Sequence, residues 1–349
     1  MIEAATLTGL VEHFSPSGAE HGAAAWLVDR MKALNYTEAY VDEAGNPVGV
    51  MGSGPKQAVL LGHIDTVPGE IPVRVEEGNL YGRGSVDAKG PLACFVDAVA
   101  QVGVVPGWQW IVIGAVEEER DSDGARYVVS RYKPEFTIIG EPNRWDRISL
   151  GYKGSAWAKL SFKQTQAHTS SGEQTACEAA VEAWLAVKAY ADSYNTDKRR
   201  TFDKILLTLR GLDSDEDGFE QWAKLNIGTR LPLEVTPEDW YEKLSEVAIG
   251  ATMERRGFAV PAWACEKNTS LVRALLSAIR SEGGTPSFVY KSGTADLNIL
   301  APAWKCPAVV YGPGDSALDH TPDEHISLEE YSKAVAVLAG ALELVGEPG

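Results

Sequence analysis

The feature that most constrains this chain is a series of short apolar runs, each closing on polar or glycine-rich residues: QAVLLGHID, WQWIVIGAVEEE, FTIIGEP and PAVVYGPG. Runs this short, flanked by polar residues, read as strands covered on both faces. Helical patterns separate them, in AAAWLVDRMKAL, in Gly90–Val102, in Gly124–Arg131 and in SLVRALLSAIRSEGG. The first helix reads from Ala4 to Leu34, interrupted near Ser15-Pro16-Ser17-Gly18, with strands at EAYVDE and PVGVMG after it. This alternation predicts an α/β fold, a mostly parallel mixed sheet with flanking helices. Parallel strands present their carboxyl ends at one edge of the sheet, where open α/β sheets place their sites. His63, Asp65, the Glu117-Glu118-Glu119 triplet and Glu141 all stand at such ends.

The pattern changes near Gly151. SAWAKLSFK alternates like a strand with one wet face. A helix from Thr175 to Tyr194 follows, then KILLTLRGL, EQWAKLNIGTRLP, a helix opened by Thr236-Pro237-Glu238-Asp239, and ATMERRGFAV. Thr at the N-cap with Pro next is a sound helix start. The order β-α-β-β-α-β predicts a ferredoxin-like α+β insert. The α/β pattern returns after Pro261, so the expected segments are 1–153, 154–262 and 263–349. The acidic run Asp213–Asp217 reads as a solvated turn; it lacks the distal Glu of an EF-hand calcium loop.

The 349 residues suit about two domains. Lys and Arg total 32 against 49 Asp and Glu, a net charge of −17. That charge argues against nucleic acid and anionic membrane as partners. No apolar run reaches bilayer-spanning length, and MIEAATLTGL lacks the basic start of a secretory signal. Cys94, Cys177, Cys265 and Cys306 form no C-x-x-C motif. Reduced thiols and a cytoplasmic setting are the simplest expectation.

Singly, each polar strand end has a bland reading. Asp87, in GRGSVDAKG, could cap the next helix, and the Glu triplet could be a solvated strand end. Together, His63 and His320 with several carboxylates and no nearby cysteine suit zinc or cobalt. The set is generous for one ion; two ions sharing a bridging carboxylate use it better. A carboxylate left over can move a proton.

The series GHIDTVP, YGRGSVDAKG, EEE followed by GAR, GEP, GTADLN and DHTPDE resembles the metallopeptidase-like amidohydrolases. Acetylornithine deacetylase and succinyl-diaminopimelate desuccinylase belong to that family. The motifs occur in family order across nearly the whole chain. The resemblance implies two zinc ions per subunit, with cobalt as an alternative. It implies His63, Asp87 and Glu141 on one ion, and Asp87, Glu119 and His320 on the other, with Asp87 bridging. Asp65 would orient His63, and Glu118 would be the general base. The spacing to Gly124-Ala125-Arg126 matches best with Glu119 as ligand; the pair Glu117/Glu118 is the other register. The insert would be a dimerisation or lid domain, making a homodimer, and His168 in QAHTSSG would steady the oxyanion.

Within the family the chain looks most like the branch that frees lysine or ornithine from a small acidic amino-group carrier protein. There the amide joins the amino acid to the γ-carboxyl of the carrier's terminal glutamate. The alternatives are a deacetylase of acetylornithine or acetyllysine, a dipeptidase, or an inactive scaffold. Substrate contacts are expected from Lys291, Thr294 and Asn298 around the GTAD loop. Lys291 or Arg256 could meet a substrate carboxylate, and Asp296 an ammonium. An acidic carrier would need a local basic face, sought at Arg255, Arg256, Lys153 and Lys291.

Overall fold

The computed structural model describes residues 4–347. The chain divides into two units. Residues 4–151, Cys265–Tyr290 and residues 295–347 form the first; Tyr152–Ala264 and Lys291–Thr294 form the second.

The first unit is built on a mixed sheet. Its strands run in the order Glu38–Val41, Pro47–Met51, Trp108–Ala115, Lys56–His63, Phe136–Gly140, Ala308–Tyr311, Arg147–Tyr152. The inner four are parallel: Leu60 lies opposite Val112 and Ile138, and Val310 opposite Ile139. The strands outside them pair antiparallel. The apolar runs are the parallel strands, buried along nearly their whole length. In this register His63, Ala115, Gly140 and Tyr311 finish at one edge, so the loops that follow share that edge.

Gly62 pairs with Gly114 on one side and Gly140 on the other. A Cβ on Gly140 would stand 3.0 Å from the Phe95 ring, and one on Gly62 3.3 Å from Leu92. This bare strip lets the helix Lys89–Val102 lie close on the sheet. Asp87, two residues before that helix, is thereby carried to the edge. Helix Leu328–Gly346 packs on Lys89–Val102 and on Ser270–Ser281. The first helical stretch is two helices, Ala5–Glu12 and His21–Ala33, and the Ser15–Gly18 break falls between them.

The second unit has strands in the order Leu206–Glu216, Glu220–Leu231, Gly154–Thr165, Thr252–Val260, all antiparallel. With helices Ala176–Asn195 and Pro237–Val247 the chain order is β-α-β-β-α-β, the ferredoxin-like arrangement. Alternating residues Ala156, Ala158, Leu160 and Phe162 turn to one core with Leu225, Ile227, Val187 and Trp240. Both helices open with complete capping boxes, Thr175 with Glu178 and Thr236 with Asp239.

Three expectations need correction. The acidic run is mostly strand: Asp213 pairs with Lys224 and Glu216 with Gln221, leaving a turn only beyond them. Cross-strand neutralisation of Asp213 by Lys224 makes the longer hairpin tolerable. Lys291–Thr294 groups with the insert rather than with the segment 263–349. Lys153 N donates to Gly293 O at 3.0 Å, and Arg230 Nη1 to Thr294 Oγ1 at 2.6 Å. Lys153 is not a surface cation. It is fully buried, and its Nζ donates to the carbonyls of Phe202 (2.9 Å) and Lys204, which satisfies the ammonium internally.

Candidate active site

His63, at the end of its strand, is almost fully buried. Its Nδ1 lies 3.0 Å from the Asp65 backbone oxygen. A carbonyl only accepts, so Nδ1 carries the proton and Nε2 is left facing Asp87 Oδ1, also at 3.0 Å. The other Asp87 oxygen, Oδ2, lies 3.0 Å from His320 Nε2. One carboxylate thus presents one oxygen to each imidazole. His320 Nε2 also lies 2.8 Å from Glu119 Oε1. Two groups result, His63–Asp87–Glu141 and Asp87–Glu119–His320, with the ligand atoms within each less than 4.8 Å apart. Each could hold a divalent cation, and Asp87 is common to both.

Asp65 organises the acidic turn. It is fully buried, and it accepts from Glu118 N at 3.0 Å, Glu119 N at 3.1 Å and Ser17 Oγ at 2.6 Å. Burial alone would raise its pKa, but the bond to His63 and those donors hold it below the usual carboxylate range. The strand ends at Ala115, so strand alternation does not govern the triplet. Glu117 has a left-handed φ of 59° and turns away, its carboxylate 3.8 Å from Arg120. Glu119 is the member that meets His320.

The electrostatics are those of acids short of cations. Burial, with Glu141, Asp296 and Glu119 nearby, pushes Glu118 well above its ordinary range against the pull of His63. Burial and Asp87 do the same to Glu141. Burial also raises Asp296, to about 7. The imidazoles answer in kind. Burial opposes charge on His63, yet Asp65 and Asp87 keep it well above its ordinary value. Hydrogen bonds to Asp87 and Glu119 raise His320 to about 10. Two imidazoles among this many crowded carboxylates are the donor set of a divalent-cation site.

The remaining expected residues lie elsewhere or do other work. His168, in the insert, is exposed with Nδ1 2.7 Å from Ser170 Oγ. Thr294 accepts from Arg230, and Lys291 is half-buried in the same short segment. Asn298 is buried, its Oδ1 accepting from Ala295 N at 3.0 Å. Of the sought basic face, Lys153 is spent internally, while Arg255 and Arg256 remain more than half exposed. Arg256 pairs with Glu254 at 2.8 Å, and Arg255 stacks over Tyr241. Ser17 was missed as a partner of Asp65; the only signal was its place in the Ser15–Gly18 helix break.

A parallel sheet whose strand ends assemble two such groups defines a metallohydrolase of the zinc-peptidase kind. Residues 59–344 match peptidase family M20/M25/M40, and the chain belongs to that family. It is 44% identical over 342 residues to the [LysW]-lysine hydrolase of Deinococcus radiodurans, covering 95% of this chain and 94% of that one. It is 28% identical over 338 residues to the [LysW]-lysine/[LysW]-ornithine hydrolase of Saccharolobus solfataricus, covering 97% and 94%. Among solved structures it resembles aminopeptidase PepT from Bacillus cereus, with a TM-score of 0.80 at 18% identity over 99% of this chain and 100% of that one. At that identity the likeness speaks for the fold.

Proposed function

We propose that this chain hydrolyses the amide joining lysine, or ornithine, to the γ-carboxyl of the terminal glutamate of a LysW-type carrier protein. The observation that carries the chemistry is Asp87, with one oxygen toward His63 and the other toward His320. The full-length likeness to a [LysW]-lysine hydrolase supports the substrate. Lys153 is committed to internal carbonyls, while Arg255 and Arg256, each more than half exposed in weak surface pairs, keep cations at the surface that an acidic carrier could meet.

In this reading His63, Asp87 and Glu141 hold one zinc ion, and Asp87, Glu119 and His320 hold a second. Cobalt suits the same imidazole and carboxylate donors. Zinc, when bound, supplies Lewis acidity toward the amide carbonyl and toward water. Glu118 takes the proton of the attacking water and returns it to the leaving amine nitrogen. Asp65 keeps His63 in one tautomer and fixes the turn that presents Glu118 and Glu119. His168 of the insert donates to the oxyanion. The insert also serves dimerisation. A cytoplasmic setting completes the reading.

The test offers the zinc-loaded protein three substrates: a peptide ending in γ-glutamyl-lysine, acetylornithine, and a simple dipeptide. Preferred cleavage of the first is expected. Preferred cleavage of either other substrate would replace this reading with a deacetylase or dipeptidase.

A further inference from the structure

We propose that the buried Arg83–Glu324 pair is a positioning device for the Asp87–Glu119–His320 group, fixing the mutual placement of Asp87 and His320. The inference rests on the metal reading above. Glu324 and Arg83 are 1% and 7% exposed, and Arg83 Nη1 donates to Glu324 Oε2 at 2.8 Å. The other oxygen, Oε1, accepts from the backbone N–H groups of Val86 and Asp87, both at 3.0 Å. Arg83 Nη1 also donates to Thr321 O at 3.0 Å, next to His320, while its Nε donates to Gly69 O at 2.9 Å. One ion pair therefore ties the segment that carries Asp87 to the segment that carries His320.

The two ligand groups depend on this tie unequally. His63 closes a strand paired on both sides, and Glu141 directly follows another. The sheet holds both without help. His320 stands on a loop, half-exposed, with a left-handed φ of 60°. Its loop is bound to the Asp87 segment through Thr321 and Glu324. A buried pair of this kind is costly to keep and more costly to break on one side. As a link between two ligand loops it has a use that local packing does not supply.

The zinc-loaded full-length protein and Glu324→Gln are titrated with a colorimetric zinc chelator, and the zinc remaining per chain is counted. In the variant, the ion of the Asp87–Glu119–His320 group should be surrendered at roughly 10- to 100-fold lower chelator than in the wild type, and the other ion, which shares Asp87, should be weakened less. In cobalt-loaded protein, part of the visible absorption should be lost while the rest keeps its band positions. Should Glu324→Gln fail to fold, Glu324→Asp keeps the charge opposite Arg83 but draws the oxygen back from the two N–H groups. It should give the same selective loss to a smaller degree. Both ions held as in the wild type, even with a lowered Tm, would show a mere loop staple and overturn the proposal. Equal weakening of the two ions would also overturn it. A wild type that never binds two ions would instead overturn the metal reading itself.

Discussion

The carboxyl edge of the parallel sheet and the sheet of the insert treat acids in opposite ways. At the edge, Glu118 and Glu141 are crowded by burial and by other acids, and both are pushed up. In the insert, Glu254 is lowered by Arg256 and Lys159, and Glu234 by Lys198 and Tyr194. The insert matches its surface acids locally and keeps its core apolar: Leu160, Phe162 and Leu225 are buried to 1% or less. The edge concentrates carboxylates beyond what its imidazoles can neutralise. A folded chain tolerates that imbalance where cations enter from outside. The sheet and core of the insert are thus read as a scaffold and the edge as the metal site.

The comparison can be broken by changes that ought to separate stability from chemistry. Glu118→Gln should lower turnover roughly 100- to 10,000-fold with zinc content unchanged, since it removes a proton carrier and no ligand. Parallel loss of zinc would make Glu118 a ligand instead. Leu160→Ala in the insert should cost about 2–5 kcal/mol of stability, read by denaturant unfolding, with zinc per folded chain unaltered. Asp65→Asn should weaken zinc retention about 10- to 100-fold, measured by chelator competition, because it removes the charge beside His63 and loosens the turn held through Glu118 N and Glu119 N.

A subtler effect concerns His320. Its bonds to Asp87 and Glu119 raise its pKa to about 10 in the metal-free protein. The raised value means that this pairing stabilises the metal-free fold fully below the unfolded pKa of about 6.5 and is lost as pH rises through about 10. An imidazole ligand must be neutral, so zinc binding near pH 8 should release roughly one proton from His320, beside those released by His63 and Glu141. Calorimetry in two buffers of different ionisation enthalpy measures the total, and His320→Gln should lower it by about one proton. The smallest effect is expected at Arg256→Ala, within about 0.5 kcal/mol in stability, because the exposed pair with Glu254 contributes little.

Much of this was legible in the sequence for simple reasons. Strands covered on both faces must be apolar, so QAVLLGH and FTIIG announced themselves, and the polar residue after each marked one edge. The α+β insert showed in its period and its caps. What could not be read was three-dimensional choice among equivalents. Glu117 and Glu119 are the same residue type two positions apart; the family spacing favours Glu119, but the physical reason, the left-handed turn at Glu117, shows only in the fold. Ser17 reaches Asp65 across 48 positions. Lys153 looks like any surface lysine until the carbonyls of Phe202 and Lys204 close around it. The row Gly62, Gly114 and Gly140 explains how Asp87 arrives at the edge, yet each glycine alone reads as a loose strand end.

The most direct test of the account is lysine released from a carrier whose terminal glutamate bears it on the γ-carboxyl, with zinc counted in the same samples. The wild type should release lysine and hold two zinc ions, one for each candidate group, and Glu118→Gln should hold both and release almost none. Full release by Glu118→Gln, or a wild type that binds its zinc and leaves the carrier intact, would contradict it.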